Sequence, residues 1–359
     1  MKLPVVQFEA PTAKATLSQD RFLRLLLLQK ATTRTKLAEQ GGFSAASTTL
    51  RSQWLFENGF LEKLAERQLH SKRPVETLSL RRLSWSVAAL RLSAKRLTAD
   101  LLDSTGNVIW SEAATFSGKR LTVQAEVFQA FREKLEEARR QGEVLRLPLK
   151  GMALSIDGVI SGSVGPGMIF GLNGIDNWIP CQPRFIDPIF QQITVLNQWT
   201  TSVCKLYGLV SDLKIDNRVA YFQVTRKDLH LATIYDGAIT LGNLGTSGAF
   251  LHQSVQPEGP ACYCGRQGCL DALLRSGKAT HDQIYGAIQR LLEILGIEYA
   301  GIEWTEGASY FPSAFTKKTS QTSIIPVTAP DDLERRGIAF LSVEAALLRE
   351  VNELQSPHS

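Results

Sequence analysis

His252-Gln-Ser-Val-Gln-Pro-Glu-Gly-Pro-Ala-Cys262-Tyr263-Cys264-Gly265-Arg266-Gln267-Gly268-Cys269-Leu270-Asp271 gathers one histidine and three cysteines within 18 positions. An imidazole and three thiolates make a four-coordinate set that suits Zn²⁺, and a set with no open position is structural. Gly265 and Gly268 let the chain double back tightly enough for three sulfurs to reach one ion. The spacing is not the paired C-x-x-C of a zinc finger, so a disulfide or a loop of free thiols stands as the alternative. The N-terminus has no continuous apolar core ahead of a small-residue cleavage site, which makes the cytoplasm the expected compartment and disfavours a disulfide. His252, Cys262, Cys264 and Cys269 are therefore the expected ligands of a structural Zn²⁺.

Upstream of this loop the pattern is strand-like. Val87 to Leu92, Leu97 to Asp103 and Val108 to Glu112 are short apolar runs, and Ser104-Thr-Gly106-Asn turns between the last two. An amphipathic helix is expected over Thr122 to Gln141, then strands over Met152 to Ile156 and Val159 to Ser161. Gly301 to Pro326, rich in Ser, Thr and aromatics, reads as irregular or short-stranded, and Glu334 to Glu353 as a helix. The run Cys-x-Cys-Gly-x-x-Gly-Cys-Leu-Asp, with a His ten residues before its first Cys, resembles the zinc loop of the ROK family. That family groups bacterial sugar kinases with sugar-responsive transcriptional repressors. The resemblance continues through Gly174-Ile-Asp-Asn-Trp178, Leu206-Tyr-Gly208-Leu209 and Lys214-Ile215-Asp216-Asn217, and covers most of the chain. It implies an α/β body over residues 83–359 with the two-lobed actin-like, hexokinase-type ATPase fold. Residues 83–200 plus 334–359 would form the first lobe, and 201–333 the second lobe with the zinc loop.

A kinase of this fold holds ATP phosphates on glycine-rich turns whose amides face the anion. Where the family kinases carry an Asp-x-Gly-x-Thr type turn, this chain reads Leu90-Arg-Leu-Ser-Ala-Lys-Arg-Leu-Thr98, with no glycine and no carboxylate for Mg²⁺. The second phosphate turn reads Ile234-Tyr-Asp-Gly-Ala-Ile-Thr240 and keeps one glycine. Both losses fall on the electrostatic clamp that phosphoryl transfer requires, so the expectation is not an enzyme. The sugar side is partly retained. Asp216 aligns with the family's sugar-contacting carboxylate, and Asp271 stands where the family mostly has Glu. The usual Glu-x-Gly-His reads Ala249-Phe250-Leu251-His252. Asn173, Asn177, Asp216, His252 and Asp271 are the candidate effector contacts that the resemblance implies.

The charge of the 359-residue chain is unevenly spread. Residues 1–80 hold 12 Lys and Arg against 7 Asp and Glu; the whole chain holds 40 against 35, so the remainder is neutral. A basic small domain on a neutral body fits a polyanion-binding module attached to a ligand-binding one. Hydrophobic residues at 44% and charged residues at 21% describe a globular protein, with no apolar run near the length of a membrane span. Ser18 is a plausible N-cap for a helix through Phe22, Leu25, Leu26 and Leu28 to about Lys30. A short helix, Arg34 to Gln40, stops at Gly41-Gly42, and Ser44 caps a third helix to about Asn58, with Leu50 and Trp54 on its inner face. Helix, short helix, glycine turn and helix make a helix-turn-helix. Phe60 to Ala65 can pair with Val75 to Leu80 as a wing whose tip carries Arg67, His70, Lys72 and Arg73. Ser44, Ala45, Ser47, Thr48, Thr49 and Arg51 would approach the major groove, with Arg51 best able to read guanine, while Lys72 and Arg73 would reach phosphates. This winged helix-turn-helix over residues 1–82, ahead of a ROK body, resembles the NagC/XylR-type repressors, including Ser71-Lys72-Arg73-Pro74 where that group has Gly-Arg-Pro.

The expected function is a transcriptional regulator, acting as a repressor, of carbohydrate-metabolism genes. Its partners would be a double-stranded DNA operator, a sugar or sugar-phosphate effector, and further copies of itself as a homodimer or tetramer. Two alternatives stand beside it. One is a regulator governed by a protein partner such as a sugar-transport component, with a relict sugar pocket; the other is a ROK sugar kinase with an appended DNA-binding domain.

Overall fold

Phe22, Leu25, Leu26 and Leu28 are spaced to line one side of a helix, and all four are buried on α1 (Lys14–Gln29). The computed structural model describes residues 14–66, 75–116, 123–161, 169–172, 178–180, 195–225, 229–235, 237–239, 247–304 and 322–355. After α1 come β1 (Ala31–Thr32), α2 (Arg34–Gly41) and α3 (Ala45–Glu57). Thr33 caps α2 by accepting from the Lys36 amide, and α2 ends on Gly42 at φ 66°, a left-handed position that glycine adopts without strain. Ser44 caps α3 by accepting from the Ser47 amide at 3.1 Å. Strands β2 (Leu61–Glu66) and β3 (Val75–Leu80) pair antiparallel from Leu61↔Leu80 to Glu66↔Val75, and β1 adds to β3, giving a three-stranded wing in the order β1-β3-β2. The wing tip, with Lys72 and Arg73, lies outside the described residues.

Two expectations for this domain are corrected. The first helix begins at Lys14, so Ser18 lies inside it. The inner face of α3 is Thr48, Ser52 and Leu55, whereas Leu50 is 72% exposed and Trp54 half-buried against Phe60.

The chain divides into two compact units. One holds the winged helix, the stretch through Thr201 and the stretch from Ile338; the other is Ser202–Gly337. In the first, β4 (Ser86–Leu92), β5 (Arg96–Asp103) and β6 (Val108–Thr115) form an antiparallel meander. The helix α4 (Val123–Val144) then leads to β7 (Leu149–Ile156), which lies parallel to β4. After β8 (Gly158–Ser161), β9 (Ile169–Leu172) and β10 (Trp178–Pro180), themselves an antiparallel sheet, β11 (Val195–Thr200) adds parallel to β7. The sheet order is β11-β7-β4-β5-β6. Leu90, Leu97 and Leu101 of the sheet pack with Phe128, Phe131 and Leu135 of α4. Each such side chain contributes about 1.5–3 kcal/mol on burial.

The winged helix is fastened to this unit by specific polar contacts. Leu83 N donates to Ser104 Oγ at 2.6 Å, and Arg82 lies 3.4 Å from the Asp103 carboxylate. Arg24 of α1 meets Glu344 at 2.5 Å, the two side chains being 15% and 6% exposed.

The second unit repeats the plan. After α5 (Thr201–Leu213), β12 (Val219–Val224), β13 (Leu229–Tyr235) and β14 (Ala238–Ile239) form the antiparallel part; β15 (Tyr299–Trp304) and β16 (Ser323–Pro326) add parallel to β12 and β15. Counted from the first strand, both sheets have the order 3-2-1-4-5. Short turns close the antiparallel meander, and a helical crossover is needed before a parallel fourth strand. Here that crossover includes the 3-10 helix Ser247–His252, α6 (Leu270–Arg275) and α7 (His281–Leu295). Thr280 and Gln283 form a reciprocal capping box on α7, and Gly296 ends it at φ 59°. The final helix, α8 (Pro330–Gln355), passes the unit boundary at Gly337.

Residues 305–321 lie outside the described residues, and on either side of them Gly301 to Pro326 is short-stranded, as β16 and the end of β15. Gly301 and Glu303 interrupt the apolar pattern of β15, and each has a packing reason. A Cβ at Gly301 would lie 2.8 Å from Leu209 Cδ2. Glu303 is buried and takes Lys205 Nζ at 2.7 Å, the Tyr221 hydroxyl and Gln223 Nε2 at 3.3 Å. Burial, with the Glu303 carboxylate beside it, pushes the Tyr221 hydroxyl pKa upward, so it remains a donor.

Candidate metal centre and nucleic-acid interface

The loop from His252 to Asp271 is folded by its own backbone. Val255 N and Gln256 N donate to Gly268 O at 2.9 and 3.2 Å, Gly268 N donates to Pro260 O at 2.9 Å, and Cys262 N donates to Arg266 O at 2.8 Å. Gly268 sits at φ 63°, and a Cβ there would lie 1.4 Å from Gln256 O, so two independent constraints demand glycine. Gly265, at φ 86°, has nothing within 4 Å of its would-be Cβ and answers only to the turn.

This folding brings one ligand atom from each of His252, Cys262, Cys264 and Cys269 within 4.8 Å of the others. Cys264 Sγ and Cys269 Sγ are 3.6 Å apart, and Cys262 Sγ is 3.4 Å from His252 Nδ1. A tetrahedral zinc site, with bonds of about 2.3 Å to sulfur and 2.0 Å to nitrogen, has S–S edges of about 3.8 Å and S–N edges of about 3.5 Å. The observed edges fit. A disulfide would bring two sulfurs to about 2.05 Å, and Cys262, Cys264 and Cys269 are all free. Burial, with the Cys264 and Cys262 thiols beside it, pushes the Cys269 thiol up to about 12. Three thiolates at this spacing call for a cation to hold them deprotonated. When bound there, zinc would cross-link the 3-10 helix to the start of α6 and supply folding free energy, with no position open for substrate.

Around the chelate lies a second ring of contacts. His252 Nε2 is 3.1 Å from the Tyr263 hydroxyl, and Arg275 stands 5.0 Å over the Tyr263 ring. Asp271, buried in the first turn of α6, accepts Arg275 Nε at 3.1 Å and has its other oxygen 3.7 Å from Cys262 Sγ. The carboxylate expected to meet an effector thus faces the chelate, and the second nitrogen of His252 is likewise taken up by Tyr263. Asp216 is buried beside the β13–β14 turn, where Gly237 N donates to its backbone oxygen at 3.0 Å. It is flanked by Lys214 and Arg218 in left-handed backbone conformations. Asn173 and Asn177 lie outside the described residues. The β4–β5 turn closes by Ser93 N donating to Arg96 O at 2.9 Å.

On α3 the exposed stripe is Ala45, Ala46, Thr49, Leu50, Gln53 and Glu57, while Ser47 is half-buried. Two of the expected groove contacts are corrected. Thr48 is 1% exposed, its hydroxyl donating back to Ser44 O at 3.0 Å. Arg51 folds onto aromatic rings, its guanidinium carbon 5.2 Å from the Phe43 centroid and 6.0 Å from that of Phe22. A cation over one buried and one half-buried ring packs against the helix-turn-helix core. Sequence reasoning put Leu50 on the inner face and did not name Gln53. Only the capped start of α3 at Ala45, which sets the phase of the stripe, could have found them.

A winged helix joined to a body of two 3-2-1-4-5 sheets, one followed by a His-Cys₃ cluster, defines an actin-like ATPase-fold protein with an added winged helix-turn-helix. Residues 230–300, which include the His-Cys₃ cluster, match the ROK family model. No curated protein sequence matches the chain. Among solved structures, a ROK family transcriptional regulator described as a homologue of the E. coli MLC protein superposes with a TM-score of 0.61 at 16% identity, covering 93% of this chain and 98% of its own. A ROK hexokinase from Thermus thermophilus superposes with a TM-score of 0.54 at 14% identity, covering 75% of this chain and 99% of its own. The chain therefore has the ROK fold. Among the described residues no helix is long and apolar enough to cross a membrane.

Proposed function

We propose that the chain is a DNA-binding transcriptional regulator of the ROK type, braced by a structural zinc and responsive to a sugar or sugar phosphate held by its body. The observation that carries this reading is the winged helix itself: a capped α3 whose exposed stripe carries Ala46, Thr49, Leu50 and Gln53 and ends at Glu57, followed by a wing. The coverage of the two superpositions supports it, because the regulator extends over 93% of the chain and the hexokinase over 75%. Gln53 would bond an adenine edge, Leu50 and Ala46 would pack on thymine methyl groups, and Thr49 would serve either a base or a phosphate. Two copies would present two such helices to half-sites about one helical turn apart. Effector control requires tighter binding to one of two states, and Asp216 would offer its carboxylate to a ligand hydroxyl.

Fluorescence anisotropy on the chain's own upstream DNA, at near-physiological salt with excess nonspecific competitor, tests the reading. Binding is expected to survive competitor, and Gln53→Ala or Leu50→Ala to weaken it by about 1–3 kcal/mol while leaving nonspecific binding unchanged. Binding abolished by competitor would sink it. The likeness to a hexokinase favours a second reading, a sugar kinase with an added DNA-binding domain. Hexose-dependent ATP turnover would establish that, against a β4–β5 turn that has no glycine to cradle phosphate.

A further inference from the structure

We propose that Tyr263 is a positioning residue for the metal centre, its hydroxyl accepting the Nε2 proton of His252 and holding the imidazole with Nδ1 turned to the ion. The inference rests on the reading of the His-Cys₃ cluster as a metal site. A neutral imidazole carries one proton; if Nδ1 is to coordinate, that proton must sit on Nε2 and needs an acceptor. The geometry supplies one. Nδ1 is 3.4 Å from Cys262 Sγ, on the side of the sulfurs, and Nε2 is 3.1 Å from the Tyr263 oxygen. The two rings meet edge to face, with centroids 5.0 Å apart and planes at 86°.

Tyr263 is itself 72% exposed, and an exposed phenol has no packing to fix its rotamer. Arg275 provides the fixing contact, covering the Tyr263 ring at 5.0 Å. Arg275 is one helical turn after Asp271, whose carboxylate anchors it at 3.1 Å and reaches back toward Cys262 at 3.7 Å. The contacts close into a ring running Cys262, His252, Tyr263, Arg275, Asp271 and back to Cys262. His252 comes from the 3-10 helix, Cys262 and Tyr263 from the loop, and Asp271 and Arg275 from α6, so the cluster and α6 orient one another. The Arg275 charge also offsets the approach of a carboxylate to a thiolate, which would otherwise be repulsive. One consequence concerns effector binding: a ligand hydroxyl can reach His252 Nε2 only by displacing the Tyr263 hydroxyl.

The test uses the full chain and its Tyr263→Phe variant, which keeps the ring beneath Arg275 and removes only the acceptor. Metal content is read by elemental analysis, zinc affinity by competition with a chromophoric chelator, and coordination from the Co²⁺-substituted absorption spectrum. The expected result is one zinc per chain in the unaltered protein and affinity lowered about tenfold or more in Tyr263→Phe. The thiolate-to-cobalt bands should persist while the ligand-field bands change. A general loosening of the loop would instead weaken both sets of bands, and would overturn the assignment. So would an affinity within about twofold of the unaltered protein, since outer-shell partners of metal ligands ordinarily matter tenfold. Arg275→Gln leaves every loop residue in place and should lower affinity in the same direction by a smaller factor; no loss there counts equally against the proposal. Absence of zinc from the unaltered protein would overturn the metal reading and this inference with it, whereas zinc held equally by both proteins overturns this inference alone.

Discussion

Replacing Gly268 by alanine tests whether the backbone of the loop, beyond its four ligands, builds the metal centre. At φ 63° an alanine is strained by about 1–2 kcal/mol. Its Cβ would also lie 1.4 Å from Gln256 O, so the two strands of the loop must part by about 2 Å to reach ordinary contact near 3.4 Å. That movement breaks the bonds from Val255 N and Gln256 N to Gly268 O and from Gly268 N to Pro260 O. Three backbone hydrogen bonds at about 0.5–1.5 kcal/mol each bring the total to about 3–6 kcal/mol. Cys269, the next residue, moves with the strand, so most of this should appear as lost metal affinity, a factor of about 10²–10⁴. Gly265→Ala is the internal control. Its φ of 86° carries the strain alone, with nothing within 4 Å, so about tenfold is expected. Chelator competition on the full chain, with thermal unfolding of the zinc-loaded protein, measures both. Equal losses in the two variants, or unchanged affinity in Gly268→Ala, would refute the reasoning.

Two further expectations concern the attachment of the winged helix. Arg24→Ala removes the guanidinium facing the buried Glu344 carboxylate and should cost about 3 kcal/mol in urea unfolding, with Arg24→Met plus Glu344→Leu costing less than the single change. A single-variant cost under about 1 kcal/mol would mean the pair does not fasten α1. Asp103 titrates to measurable effect: burial alone would raise its carboxyl, but hydrogen bonds from Thr105 and Asn107 outweigh burial and hold it below the usual carboxylate range. A depressed folded-state pKa stabilises at neutral pH, and that stability is lost as the pH falls below about 4. Asp103→Asn cannot titrate, so its stability should fall less steeply with acid than that of the unaltered protein; parallel slopes would show that Asp103 contributes none of the acid sensitivity.

How much of the fold could be read from the chain depended on whether the deciding interactions were local. The first-lobe strands and the helix after them appear where the apolar periodicity puts them, because a meander and its covering helix are patterned by neighbours in sequence. The pairing of the two wing strands was legible for the same reason, although the first strand runs Leu61–Glu66, one residue on from Phe60 to Ala65. β15 was legible only as one of two outcomes, a short strand or an irregular segment. Its glycine is required by a side chain of α5 and its glutamate by a lysine 98 positions away, and neither leaves a mark on the local pattern.

The candidate site divides along the same line. Four ligands within 18 residues carry their chemistry in their spacing, since one loop must bring them together, and they could be named from sequence. The proposed DNA face, α3, could be named from sequence but not phased. Leu50 reads as core by composition and Arg51 as a base contact, yet the buried stripe at Thr48, Ser52 and Leu55 turns the first outward and the second onto Phe22 and Phe43. Helical phase is fixed by where the helix begins and by what covers it, and the covering aromatics come from α1 and the turn before α3. Asp271 shows the same dependence: a resemblance offered it to an effector, and the structure sets one carboxylate oxygen on the arginine one turn later and the other 3.7 Å from Cys262 Sγ. A residue type at a family position fixes which atoms are offered, and the surrounding packing fixes what they meet.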